Sequence, residues 1–152
     1  MKYTALETEL VTKWQNGEPD AHRQAPEITT SDGPGNPCRH CLRDIPVGAP
    51  MLILAHQPFP TPQPYAETGP VFLCATPCPR GDSAMPPEIL TTSPDYLVKG
   101  YNAQDRIIYG TGSIVAASDL HDHAGELLKR PDIAYLHVRS ARNNCYQLRI
   151  DR

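Results

Sequence analysis

Seventeen prolines stand in this chain of 152 residues, and sixteen of them fall between Pro19 and Pro94. Proline fixes φ and carries no backbone donor, so neither a helix nor a central strand can pass through Ser31-Asp32-Gly33-Pro34-Gly35-Asn36-Pro37, Gln57-Pro58-Phe59-Pro60-Thr61-Pro62-Gln63-Pro64 or Met85-Pro86-Pro87. The first half is therefore expected to be proline-rich loops around short elements. Met51 to Ala55 and Val71 to Cys74 are apolar runs bounded by proline or polar turn residues, which predicts two short buried strands.

Four of the five cysteines form two pairs around those strands, Cys38-x2-Cys41 before the first and Cys74-x3-Cys78 at the end of the second. If the strands pair antiparallel, both cysteine pairs reach the same end of the sheet, the topology of zinc ribbons. Cys38, Cys41, Cys74 and Cys78 then become the expected ligands of one tetrahedral structural zinc. Four unligated, partly buried thiols are the alternative. His40 inside the first pair is a possible replacement ligand that competes with Cys41, and Leu42 stands where many such knuckles have glycine. A thioredoxin-type redox pair fails on context, because the residues after Cys41 do not begin a helix that would depress a thiolate pKa.

The length suits one domain over 1–152, with 1–31 peripheral, 32–90 the cysteine- and proline-rich half, and 91–152 holding sheet, helix and hairpin. A net charge of -3 and the lack of a dense basic run argue against a nucleic-acid partner. The first residues lack a signal-peptide core, and no apolar run approaches the roughly 20 residues that cross a bilayer, so no membrane association is expected and a cytoplasmic location is. Paired cysteines in that reducing compartment are expected to be thiols or ligands.

In the second half, Tyr96–Tyr101, Arg106–Gly110 and Ser113–Ala116 read as strands. A single main helix is predicted over 118–130, with Ser118 as N-cap and Leu120, Ala124, Leu127 and Leu128 at helical spacing. Ile133–Ser140 and Cys145–Asp151 read as a C-terminal hairpin. The fold class is α+β with a mostly antiparallel sheet. Alternation sorts the hairpin into an apolar face, Ala134, Leu136, Val138, Tyr146, Leu148 and Ile150, and a polar one, Tyr135, His137, Arg139, Cys145, Gln147 and Arg149. Keeping both faces requires odd residues opposite odd ones, Arg139 near Cys145 and His137 near Gln147, with a bulged loop in which Asn143 or Asn144 is left-handed. The polar face has two readings. Cys145 is a nucleophile with His137 as base and Arg139 or Arg149 as anion clamp, Arg142 adding a cation in the loop; or the face simply meets water. His121, His123, His56 and His22 are expected at the surface, and Glu67 in a turn.

Pro37-Cys38-Arg39-His40-Cys41-Leu42-Arg43-Asp44, Pro64-Tyr65-Ala66-Glu67 running through Gly69-Pro70 into Val71-Phe72, and the ending from His137-Val138-Arg139 through Asn144-Cys145-Tyr146 to Arg149-Ile150-Asp151-Arg152 resemble a small bacterial family described only as a domain of unknown function. The resemblance runs from about Asp32 to the C-terminus and implies no reaction, substrate or partner. In the family pattern serine can stand at the Cys41 position and histidine at the Cys74 position, and glycine is usual at the Asn144 position. Two functional classes follow. One is a small zinc-stabilised binding or interaction domain that contacts a small anion or another protein; the other is a thiol-dependent enzyme built on Cys145.

Overall fold

The computed structural model describes all 152 residues and contains two antiparallel sheets. Strands β1 (Lys2–Thr4), β5 (Asp95–Tyr101), β6 (Ser113–Ala116), β7 (Tyr135–Ser140) and β8 (Tyr146–Asp151) form a five-stranded sheet in the order β1-β8-β7-β5-β6. Strands β2 (Glu27–Thr30), β3 (Pro50–His56) and β4 (Gly69–Cys74) form a three-stranded sheet in the order β2-β3-β4. With helices α1 (Thr8–Gln15) and α2 (Leu120–Leu128), the architecture is the expected α+β one.

Helix α2 buries Leu120, Ala124 and Leu128, four residues apart and so on one face, in a core with Val98, Leu136, Val138, Leu148 and Ile150 of the large sheet. Ser118 is not its cap: the helix is flanked by Asp119 without a side-chain cap bond, and the Ser118 hydroxyl donates to the Asp119 carboxylate at 2.8 Å. The helix start is fixed by packing of Leu120.

Residues 1–31 supply three elements that the sequence did not reveal. β1 is an edge strand paired with β8, and its central Tyr3 is fully buried. α1 buries Val11 and Trp14 in a second core with Leu52, Leu54, Val71, Leu73 and Tyr146. Eight residues are too few for a helix to stand alone. It is tied down by the Gln15 amide, which donates to the carbonyls of Cys74 at 3.0 Å and Thr76 at 2.9 Å.

Arg106–Gly110, read as a strand, is a turn with one isolated bridge, Tyr101 to Ile107. Positive φ at Asp105 (59°) and Gly110 (85°) bends the chain at both ends of that segment, which leaves no room for a ladder.

As far as Val138 the C-terminal hairpin keeps the odd-on-odd parity, but not the expected register. His137 lies opposite Arg149 and Val138 opposite Leu148; the next pair is Arg139 with Tyr146, so Gln147 is the extra residue of a β-bulge. The irregularity expected in the loop thus falls inside the strand, although Asn144 does take the left-handed conformation at φ 58°. The bulge moves Tyr146 off the predicted apolar face onto that of His137, their ring centroids 5.0 Å apart. Most of the polar face is covered rather than solvated, with Cys145 and Arg149 left half-exposed. His137, Arg139 and Gln147 are 1%, 3% and 6% exposed, and Phe59 from the proline-rich loop closes over His137 at 5.2 Å between ring centroids.

Candidate functional site

Antiparallel β3 and β4 set Met51 opposite Cys74, which brings the start of one strand beside the end of the other. The chain before β3 runs along β4, with Cys38 bridged to Phe72 and the Arg39 N–H donating to the Phe72 carbonyl at 3.1 Å. The two cysteine pairs therefore converge. One ligand atom from each of Cys38, Cys41, Cys74 and Cys78 lies within 4.8 Å of the others, and the Cys38–Cys78 and Cys41–Cys74 sulfur separations are both 4.0 Å. Sulfurs about 2.3 Å from a tetrahedral ion would stand about 3.8 Å apart, so the cluster has the size a metal ion needs. All four cysteines are free of disulfides.

The first pair forms a tight knuckle in which the Leu42 N–H donates to the Cys38 carbonyl at 3.0 Å, and the Cys74 N–H donates to the Cys38 sulfur at 3.3 Å. Leu42 takes the position usually held by glycine by accepting φ 56°, at a cost of about 1–2 kcal/mol. Its side chain is 1% exposed in the large-sheet core, which offsets that strain. Hydrogen bonds from Cys41, Cys74 and Cys78 hold the Cys38 thiol far below the usual thiol range, while the bond to Cys38 drives Cys74 and Cys78 far up. A second thiolate would sit against the first. Four ionised sulfurs can share this space only around a cation.

His40 is not a fifth candidate ligand. Its Nδ1 lies 3.2 Å from the Cys78 sulfur and its Nε2 2.9 Å from the Thr8 hydroxyl, so it links the cluster to the first turn of α1. With Nδ1–H donating to sulfur, Nε2 accepts from Thr8. Arg39 is 3% exposed and donates from Nε to the Tyr146 carbonyl at 2.8 Å, joining the knuckle to β8 of the large sheet. Burial pulls its guanidinium down to about 10, and it remains charged at neutral pH.

The hairpin residues do not form the single constellation that the sequence suggested. Cys145, half-exposed, lines a cleft of about 450 Å³ with Arg139, Glu67, His56 and Asn144. His137 and Arg149 line a different cleft, next to β1 and α1. Arg149 is committed there, paired with Asp151 at 2.6 Å and lying 3.8 Å over the Tyr135 ring. Arg142 is exposed in the loop. Glu67, expected only to make a turn, pairs with Arg139 at 2.7 Å and with Lys99 at 3.2 Å. No local pattern could have paired it with residues so distant in sequence.

Of the histidines expected at the surface, His56 is buried at 8% exposure, edge-on to Trp14 and Tyr146. The two helix histidines are half-buried, His121 bonded to Tyr3 at 3.1 Å and His123 to Ser113 at 3.0 Å. Burial, aided by the charges of Arg139 and Arg39, lowers His56 from 6.5 to about 4, and burial holds His137 well below 6.5. Both rings stay neutral in the folded chain at neutral pH, and below about pH 6.5 unfolding lets them take up protons. Stability from His56 is therefore fully present above pH 6.5 and is lost as pH falls toward 4, amounting to about 3 kcal/mol. The His56→Gln variant is expected to lose stability less steeply than the parent across that window in urea denaturation; parallel curves would contradict this.

Taken together, the chain is a small α+β protein with a four-cysteine cluster able to hold a metal ion at the end of its smaller sheet. It belongs to the DUF1203 family, described as "Protein of unknown function (DUF1203)", whose model matches residues 35–152 and so includes every cysteine of the cluster. No match exists among the curated proteins or the solved structures. No helix is long and apolar enough to cross a membrane.

Proposed function

We propose that this is a binding domain whose cysteine- and proline-rich half is held by a structural zinc ion on Cys38, Cys41, Cys74 and Cys78. The observation that carries this reading is the convergence of four free sulfurs within 4.8 Å of one another. Four thiolates suit zinc over the harder cations, and with every position taken by protein no site is left open for catalysis. The tetrathiolate would carry a net charge of -2, and the buried Arg39 beside it offsets part of that charge. The site needs reduced thiols, which a cytoplasmic location provides. The domain is expected to contact a small anionic ligand or a protein rather than nucleic acid, since a net charge of -3 offers a phosphate backbone no electrostatic gain.

Elemental analysis of protein purified without added metal tests this, with one zinc per chain expected; a metal-free chain with an unchanged melting curve would contradict it. The hydrogen bond from His40 gives a finer prediction. The His40→Ala variant is expected to bind zinc about 10- to 100-fold more weakly in competition with a chromophoric chelator, because partners of this kind orient a ligand and tune its charge. Equal affinity would mean that the bond to Cys78 contributes nothing to the site.

A further inference from the structure

Between the first cysteine knuckle and the hairpin loop runs a cleft of about 240 Å³ in which Arg39, Cys145, Gln147, Ser93 and Asn143 meet. Arg39 is the only charged residue in its wall. The side chain is 3% exposed; Nε donates to the Tyr146 carbonyl at 2.8 Å and Nη1 to the Pro37 carbonyl at 2.5 Å. Nη2 has no partner and, unlike the orphaned nitrogens of Arg139, is not sealed from solvent, so the cation presents this one donor to the cleft it lines. Arg139 and Arg149 are each paired with a carboxylate, and Arg39 with none. Cys145 brings a thiol to the same place. It is half-exposed, at the junction with the larger cleft of Arg139 and Glu67, and its sulfur has only the Asn143 carbonyl, at 3.7 Å. Its backbone is fixed, the N–H donating to the Ser140 hydroxyl at 3.2 Å and the carbonyl accepting the Ser140 N–H at 2.9 Å. Among the ionisable neighbours that favour the Arg39 charge, Cys145 comes first, ahead of Cys38. Free cysteine is ordinarily buried, and here one stands accessible beside a cation without a counter-ion. His137, the base expected from the sequence, lines a different cleft, which leaves thiol–disulfide exchange as chemistry that needs no base beyond solvent.

From this arrangement we infer that Cys145 is a reversible modification site that takes up a small carboxylate-bearing thiol as a mixed disulfide, its carboxylate against Arg39 Nη2. The donor is the disulfide of that thiol. The Cys145 sulfur, its proton given up to solvent, attacks one donor sulfur. The new sulfur–sulfur bond forms as the donor's own breaks, and the other half leaves as a thiolate that takes a proton from solvent. The Cys145 sulfur is oxidised and the leaving sulfur reduced, so no further oxidant enters, and excess free thiol reverses the exchange. A cationic donor would bring like charge to Arg39, and a neutral one gains nothing from it. The inference rests on the binding-domain reading, giving its small anion a chemical class, and makes no use of the metal.

The test is mass spectrometry of the full-length chain, supplied with zinc, after timed exposure at neutral pH to three small disulfides: dithiodipropionate, which carries carboxylates, the neutral bis(hydroxyethyl) disulfide, and cystamine, which carries ammonium groups. Trypsin cuts after Arg142 and Arg149, so Cys145 falls in the peptide 143–149, apart from the cluster cysteines. A synthetic peptide of those residues gives the intrinsic rate of each reagent. Relative to that peptide, the folded chain is expected to form the 143–149 adduct about tenfold or more faster with dithiodipropionate than with cystamine, the neutral reagent falling between. The Arg39→Gln variant is expected to lose that order, and if it fails to fold, the reagent series on the parent chain decides alone. No adduct on 143–149, an order no different from that of the peptide, or a folded Arg39→Gln variant that keeps the preference would overturn the inference. Counting zinc in the same sample keeps the two readings apart: a zinc-loaded chain without the adduct removes only the modification site, and a zinc-free folded chain that forms it with the expected order removes only the metal.

Discussion

Replacing Cys38 with serine is expected to abolish stoichiometric zinc binding and to unfold the smaller sheet. Cys38 is fully buried and accepts the Cys74 N–H at 3.3 Å, so it is both a proposed ligand and one of the contacts that join the first knuckle to β4. Structural zinc contributes apparent binding energies of about 10–16 kcal/mol at neutral pH, as large as the entire net stability of an ordinary domain, about 5–15 kcal/mol. The loss of one ligand therefore reaches the fold. Without the metal, α1 loses the carbonyl partners of Gln15 at Cys74 and Thr76, and β2, β3 and β4 keep only a short ladder. Far-UV circular dichroism and elemental analysis of Cys38→Ser should show both losses. The matched control is Cys145→Ser, which removes a thiol outside the cluster and is expected to keep zinc and melting temperature. If the two variants behave alike, the cluster does not support the fold.

The second large effect is expected at Gly81. An added Cβ there would lie 2.1 Å from the Cys41 carbonyl oxygen and 2.5 Å from its carbon. Both are backbone atoms and cannot rotate away. The Gly81 N–H donates to the His40 carbonyl at 2.8 Å, so the loop after Cys78 is pinned to the first knuckle at the point where the methyl group would intrude. The Gly81→Ala variant must push the loops apart, and a destabilisation of about 2–4 kcal/mol with weakened zinc binding is expected. Gly125 in α2 has nothing within 4 Å of its added Cβ, and Gly125→Ala is expected to stabilise by about 0.5–1 kcal/mol through helix propensity. Thermal melts of the two variants should move in opposite directions; coincident melts would contradict the described approach of the loops.

The elements legible in the sequence are those with strong local patterns. β3, β4, β5 and β6 follow from apolar runs between turn residues, and α2 from its leucine spacing. β2 has all four residues exposed and so no alternation to read, whereas β1 and α1 are short and owe their conformation to distant partners, Tyr3 in the large core and Trp14 against His56. The hairpin shows how one residue limits such reasoning: the bulge at Gln147 reassigns Tyr146 to the opposite face while every pair from His137 to Tyr135 keeps the expected parity. At the site, the four cysteines were legible because ligand spacing is local within each pair. The roles of Glu67 and His56 were not, because each depends on a tertiary partner, Arg139 for one and the Trp14–Tyr146 pocket for the other.

X-ray absorption at the zinc edge of the protein as purified addresses the central claim most directly. Four sulfur neighbours at about 2.3 Å are the expected result. A first shell containing nitrogen or oxygen, or the absence of bound zinc from a folded chain, would contradict it.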